Sequence, residues 1–333
     1  MAKSKKKYKH KMRSPVVPSS APRVANGAQP DSVAHTRKPQ LSVRLSQCMI
    51  VKNEEKNIEK ALGWAKKIAY EQIVVDTGST DRTVELAQKL GAKVVHFEWI
   101  NDFGAAKNFA IEQASGNWIA FLDADEYFSD EDAQKLMIFL KRIESDPQMR
   151  ASYHVLNTAW IQLDKNGNFA SKLDQERVFR NIPSVRYRGR IHEQLNVRPE
   201  NIVVVDEIEI MHTGYTDEAF VTTGKIQRNI RLLREDLELY PDDYNIKAYL
   251  ADSLKKSEDE KEREEADELF SEIMKNRDKV WPDMLRKAYV HFMNKSMQAG
   301  DMGKCLELCK EAMLYIPGDP DLENVYRSLT VGP

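Results

Sequence analysis

Trp118-Ile119-Ala120-Phe121-Leu122-Asp123-Ala124-Asp125-Glu126-Tyr127-Phe128 is a short apolar run that ends abruptly in carboxylates. Its length predicts a buried strand over residues 118–122, with Asp123 and Asp125 where the chain leaves the sheet. In extended chain, residues two apart point the same way, so both carboxylates can face one site while Ala124 turns aside. Close carboxylates repel, and a hard divalent cation relieves that repulsion while keeping positions open for phosphate oxygens. An isolated Asp-x-Asp is more often a solvated acidic turn, so the surrounding sequence decides between the two.

Upstream, strands and helices alternate. Residues 45–51 read as a strand and 54–68 as an amphipathic helix, with Asn53 at the junction. Residues 73–75 form a second strand ending at Asp76, the turn Thr77-Gly78-Ser79-Thr80-Asp81 supplies N-cap oxygens, and a helix over 83–90 closes at Gly91. A third strand over 93–97 and a helix over 103–114 precede the opening run. Such strand-helix units imply parallel strands with ligands at their carboxyl ends. Asn53, Glu54, Asp76, Ser79, Asp81, Asp123 and Asp125 all fall at those strand exits. There is no Gly-x-Gly-x-x-Gly after the first strand and no Gly-x-x-x-x-Gly-Lys, which removes the main support for dinucleotide oxidoreductases and P-loop enzymes. A nucleotidyltransferase would call for a glycine-rich basic loop where this chain has Lys52-Asn53-Glu54-Glu55.

Downstream, residues 153–163 and 169–179 flank the turn Lys165-Asn166-Gly167-Asn168 and predict a hairpin. Strands over 184–187, 202–205 and 207–212 extend an antiparallel half. This half carries Arg177, Arg180, Arg186, Arg188 and Arg190, a density suited to phosphate, together with His192, Glu193 and His212. From residue 218 the pattern is helical, over 228–240, 243–257, 261–276, 282–299, 302–315 and 319–329. Tyr240-Pro241-Asp242-Asp243 recurs loosely as Tyr315-Ile316-Pro317-Gly318-Asp319, with the prolines 76 residues apart. That is near twice the roughly 34 residues of a tetratricopeptide-type helix pair. Such stacked pairs offer a concave face for a peptide or partner, or serve only as a cap on the sheet.

The 333 residues, 41% hydrophobic and 31% charged, allow about two globular domains. Ten Lys/Arg against one Asp set residues 1–40 near +9 and leave the rest near −11 of the net −2. That Pro-interrupted basic stretch is expected to be a disordered tail, solvated or in non-specific contact with nucleic acid or anionic lipid. Nucleic acid is not expected as the partner of the acidic body. No apolar segment reaches bilayer length and no apolar stretch follows the basic start, which points to the cytoplasm. Cys48, Cys305 and Cys309 give no disulfide framework, and the latter two are expected to pack as small hydrophobes. The expected organisation is a tail over 1–40, an α/β sheet domain over 41–217 and a helical domain over 218–333.

Four ordered motifs carry a resemblance. Met49-Ile50-Val51-Lys52-Asn53-Glu54-Glu55, Val75-Asp76-Thr77-Gly78-Ser79-Thr80-Asp81-Arg82-Thr83, Trp99-Ile100-Asn101-Asp102-Phe103-Gly104-Ala105-Ala106-Lys107-Asn108 and Leu122-Asp123-Ala124-Asp125-Glu126 resemble family 2 glycosyltransferases of GT-A fold, over about residues 41–215. The helical extension resembles the bacterial subgroup with tetratricopeptide-like C-termini, including peptide S-glycosyltransferases of the sublancin type. Arg190-Ile191-His192-Glu193 and His212-Thr213-Gly214-Tyr215 match segments of that subgroup. The sheet half is also similar to lipopolysaccharide-core glucosyltransferases, which typically lack so long a helical tail. Lys107 departs from the pattern, since many relatives carry Arg there, and a bidentate phosphate contact becomes a point charge.

The resemblance implies an inverting enzyme that takes a sugar from a UDP-sugar with the help of Mg²⁺ or Mn²⁺. Asp125 is then the metal ligand, His212 a further ligand, and Asp123 a contact to ribose or metal. Asp76 and Glu54, with Asn53 and Ser79, would hold base and ribose, and Lys107 would approach the donor phosphates. Glu193 is the first candidate for the base that deprotonates the acceptor, and His192 the second. The acceptor would be a Cys or Ser/Thr side chain of a peptide or protein docked on the helices. A surface glycan acceptor is the alternative, and a non-catalytic adaptor the second alternative.

Overall fold

The structure is a computed structural model and describes residues 42–213 and 223–330, which lie within one unit. The basic stretch and the expected domain boundary at 217/218 fall outside the described residues. Strands β1 (Leu45–Val51), β2 (Glu71–Asp76), β3 (Lys93–His96) and β4 (Trp118–Phe121) run parallel, joined by helices α1 (Ile58–Gly63), α2 (Thr83–Lys89) and α3 (Phe103–Glu112). The apolar cores of β1, β2 and β4 are buried on both faces, as parallel strands under helices require. Helix α1 is much shorter than the expected 54–68. The amides of Asn53, Glu54 and Glu55 donate to Ser79, Thr83 and Asp81 of the neighbouring loop, so this stretch forms a cross-loop tie instead of a first helical turn.

The second half of the sheet comprises β5 (Glu126–Phe128), β6 (Val155–Leu163), β7 (Phe169–Arg180) and β10 (Ile202–His212), in the order β3-β2-β1-β4-β7-β6-β10-β5. The hairpin around Gly167 forms as the turn chemistry predicts, with Gly167 at φ 79°. The half is not wholly antiparallel, because β10 pairs parallel with β6. Residues 181–201, including the small hairpin of β8 (Tyr187–Arg188) and β9 (Gln194–Leu195), carry the chain back across the sheet before β10 begins. A bulge between Val205 and Glu209 joins the two strands expected over 202–205 and 207–212 into one.

Only residues 122–125 link β4 to β5, although β7, β6 and β10 lie between those strands in the sheet. In a flat sheet the gap would be roughly 19 Å, more than the approximately 17 Å such a link spans. The sheet therefore curls on itself, and Asp123-Ala124-Asp125 bridges the opening. Two helices that the sequence reading leaves unassigned, α4 (Asp130–Ser145) and α5 (Pro147–Ser152), cover this half. Helix α4 starts at the Ser129 cap and buries Leu136, Leu140 and Ile143 against Trp118, Leu122 and Phe128. Its buried Glu144 accepts from Trp118 Nε1 at 2.8 Å and from Arg180 at 2.7 Å, so neither the indole nor the carboxylate is stranded.

The remaining residues form α6 (Thr223–Leu239), α7 (Tyr244–Leu254), α8 (Glu260–Lys275), α9 (Pro282–Gln298), α10 (Met302–Tyr315) and α11 (Pro320–Thr330). Asp243, Asp259 and Asp301 cap α7, α8 and α10 with their carboxylates. Phe270, Ile273, Tyr289, Cys305, Cys309 and Leu322 fill one continuous core between these helices. The cysteines are free and buried, as small hydrophobes are. Among the described residues no helix is long and apolar enough to cross a membrane.

Candidate active site

The carboxyl ends of β1 and β2 carry two loops tied together. Asn53, in left-handed backbone at φ 59°, accepts from the Thr80 amide at 2.8 Å, and its own amide donates to Ser79 Oγ at 2.9 Å. Asp76 is buried at the strand end and accepts from the amides of Gly78 at 3.2 Å and Ser79 at 3.0 Å. Burial opposes its ionisation, yet these bonds and His96 outweigh burial and hold its pKa below the usual range. Gly78 sits at φ 106°, which lets the turn bring both amides onto one carboxylate. The Glu54 carboxyl accepts from Asn57 at 2.8 Å. Its pKa is raised, first by burial and then by the nearby charges of Asp125 and Asp123, so the first loop converges on the acidic link.

Within that link the two aspartates have different partners. Asp123 Oδ2 accepts from Arg177 at 2.8 Å, and its Oδ1 lies 3.7 Å from Lys107 Nζ. Burial raises its pKa, but Arg177 and Lys107 reverse that and keep the carboxyl well below the usual range. Asp125 Oδ2 instead lies 3.2 Å from His212 Nε2. The antiparallel pairing of β10 with β5, which sets His212 opposite Glu126, delivers the imidazole, and Trp160 packs on it at 4.4 Å between ring centroids. Thr213 fixes the other side by donating through its amide and hydroxyl to the Asp125 carbonyl.

Glu126, the acid next to the pair, is buried and accepts from Arg177 at 2.5 Å, Trp160 Nε1 at 3.0 Å and the Asp123 amide at 2.9 Å. It anchors the link from beneath. The arginines read as phosphate ligands are largely engaged inside the protein. Arg177 holds Asp123 and Glu126, Arg180 holds Glu144, Arg186 donates to the carbonyls of Ile182 and Val185, and Arg190 meets Glu235 and Asp236. Arg188 is exposed.

Lys107, on α3, is 3% exposed. Its Nζ lies 2.6 Å from Glu193 Oε1, with the rings of Phe121 and Tyr187 centred 5.2 and 5.0 Å away. Burial disfavours the ammonium, but Asp123 and Glu193 more than restore it and raise its pKa. The lysine thus sits behind the acids and bridges Asp123 to Glu193. One turn earlier on the same face of α3, Phe103 donates its amide to the Arg190 carbonyl at 2.8 Å, and a Cβ on Gly104 would lie 2.5 Å from the Gly189 carbonyl oxygen. The structure therefore gathers Glu54, Asp123, Asp125, His212, Lys107 and Glu193 around the mouth of the curled sheet. Asn53, Ser79 and Asp76 line the adjoining edge. His192 is exposed and its ring lies flat on Tyr249 of α7, with centroids 4.2 Å apart and planes within 4°.

Asp125 and His212 form a donor pair suited to a divalent cation. A hard cation needs only one or two carboxylates or imidazoles from protein when diphosphate oxygens and water complete its shell. Among the described residues no group of three His, Cys, Asp or Glu is arranged as a cation cage. Tyr187, Trp160 and Tyr249 escaped the sequence reading. Their only signal was aromatic character at a strand or helix position, which core residues share.

Residues 46–185, within the sheet domain, match the family described as Glycosyl transferase family 2, in keeping with the expected α/β sheet domain followed by helices. The SPbeta prophage-derived glycosyltransferase SunS of Bacillus subtilis is 32% identical over 200 residues, covering 58% of this chain and 45% of that protein. A TPR repeat-containing protein of Synechococcus elongatus is 31% identical over 223 residues, covering 63% of this chain and 51% of that protein. The chain thus spans about half the length of these relatives. The crystal structure of S. aureus TarS 1-349 in complex with UDP-GlcNAc overlays with a TM-score of 0.42 at 16% identity, over 86% of this chain and 90% of that one.

Proposed function

We propose that the chain is an inverting, divalent-cation-dependent glycosyltransferase that moves a sugar from a UDP-sugar to a Cys or Ser/Thr side chain of a peptide or protein in the cytoplasm. The observation that carries this reading is the Asp125–His212 pair, 3.2 Å apart at the mouth of the sheet domain that matches family 2. Asp125 and His212 hold Mg²⁺ or Mn²⁺. When bound, the cation supplies positive charge that stabilises the diphosphate leaving group. Asp76, Glu54, Asn53 and Ser79 hold the base and ribose of the donor, and Asp123 holds the ribose side of the diphosphate. Arg177 and Lys107 keep Asp123 ionised and fixed for that contact.

Glu193 takes the proton from the acceptor nucleophile as it attacks the anomeric carbon in line. Its ion pair with Lys107 fixes one carboxylate oxygen and leaves the other as the base. A thiol acceptor, already partly thiolate near neutral pH, depends less on that base than a hydroxyl does. The acceptor docks along the helices that meet this loop. The relationship to a glycosyltransferase and to a TPR repeat-containing protein supports the pairing of the two functions.

Incubation with a UDP-sugar, Mn²⁺ and peptides bearing a single Cys, Ser or Thr tests the acceptor, with product mass as the readout. Gain of one sugar by a peptide supports the proposal. Extension of an oligosaccharide with every peptide left unmodified moves the acceptor class to a glycan.

A further inference from the structure

We infer that Tyr249 of the helical domain is a positioning residue for Glu193, acting through His192. The inference rests on the reading of Glu193 as base. Every neighbour of Glu193 in the segment 190–194 is docked on α6 or α7. Arg190 donates its amide to Asp236 and its guanidinium meets Glu235 and Asp236 of α6. Ile191 is buried among Ile230, Leu233, Leu250 and Leu254. His192 stacks flat on Tyr249, and Gln194 Nε2 donates to the Tyr249 hydroxyl at 3.3 Å. Glu193 alone turns the other way, to Lys107.

The backbone supports this division. His192 adopts φ 53° and Gly189 φ 91°, so the chain turns just before the segment and again at its centre. A left-handed non-glycine residue persists when its surroundings over-determine it. Here the stack on Tyr249 is the contact on the His192 side chain. Burial by the surrounding protein pulls the imidazole pKa down against the opposing charge of Glu193, and Lys287 adds to the lowering. A ring held flat against α7 and disinclined to take a proton serves as an anchor for the residue beside it. The helical domain, on this account, completes the catalytic loop and is not only an acceptor platform.

Two readouts test the inference on the full chain. In proton NMR the His192 ring signals should be shifted upfield by the Tyr249 ring current, and Tyr249→Ala should abolish that shift. In hydrolysis of UDP-glucose and UDP-N-acetylglucosamine with Mn²⁺, Tyr249→Ala should lower kcat roughly 10- to 100-fold and leave the donor KM within about threefold, as expected for a misplaced catalytic group. Tyr249→Phe keeps the stacking face and should restore kcat to within about threefold of wild type, by the same argument. His192→Ala removes an exposed side chain without opening the core, so it should reproduce the kcat loss even if Tyr249→Ala folds poorly. Glu193→Gln serves as the reference and should be nearly inactive. Wild-type kcat in both Tyr249→Ala and His192→Ala, with Glu193→Gln inactive, overturns the positioning role. Full activity in Glu193→Gln overturns the underlying reading of the base instead.

Discussion

Lys107 Nζ and Glu193 Oε1 lie 2.6 Å apart, with side chains only 4% and 14% exposed, and the same ammonium is 3.7 Å from Asp123. A buried cation between two carboxylates is costly to remove because the acids lose their counter-charge. Lys107→Met is therefore expected to destabilise the fold by about 3–5 kcal/mol. Urea unfolding at pH 7 checks this, and a variant as stable as wild type would show that the acids are neutralised from elsewhere.

Asp125 and His212, 3.2 Å apart, are the pair proposed to hold the cation. His212→Ala should weaken Mn²⁺-dependent UDP binding, measured by calorimetry, and lower turnover roughly 100-fold or more, since the cation's charge stabilisation is worth several kcal/mol. UDP affinity without Mn²⁺ should be unchanged. An equal loss with and without Mn²⁺ would mean that His212 serves the nucleotide directly.

Gly104 illustrates a sign reversal. Gly→Ala inside a helix ordinarily stabilises by about 1 kcal/mol. Here the new methyl would meet the Gly189 carbonyl oxygen at 2.5 Å. Gly104→Ala should instead destabilise by about 1–3 kcal/mol through overpacking, and should lower kcat by moving the segment that carries Glu193. Chemical denaturation and steady-state kinetics on the same preparation check both parts.

Asp252 on α7 gives a pH signature. Burial raises its pKa, but a hydrogen bond from Lys255 and the charges of Lys287, Lys255 and Lys256 bring it to about 2 from the ordinary 3.8. A depressed folded pKa stabilises the fold above the unfolded value and loses that stabilisation as pH falls through the folded one. Asp252→Asn should thus cost about 2 kcal/mol at pH 7, with the difference from wild type shrinking between about pH 4 and pH 2. Unfolding free energies at pH 7, 4 and 2.5 provide the comparison.

The parallel half of the sheet was legible because its strands are apolar runs that end in acids, and the helices α7 to α11 because their apolar residues recur at helical spacing. Helix α4 was left unassigned although its Ser129 cap, its acidic first turn Asp130-Glu131-Asp132 and the spacing of Leu136, Leu140 and Ile143 are all helix signals. Strand β5 has three residues, too few for a period, yet its pairing with β10 is what brings His212 to Asp125. The asymmetry between Asp123 and Asp125 came from partners far away in sequence, Arg177 and Lys107 for one and His212 for the other. Residue type and order indicated which groups gather at the strand ends. They could not indicate that Lys107 bridges two acids, or that His192 lies on a tyrosine 57 positions later.

The most direct test of glycosyl transfer is UDP release by the full chain from UDP-glucose, UDP-galactose and UDP-N-acetylglucosamine, with Mn²⁺ or with EDTA, beside Asp125→Asn. The account predicts release from at least one donor that requires Mn²⁺ and disappears in Asp125→Asn. No release from any donor by the wild-type chain, or undiminished release by Asp125→Asn, would contradict it.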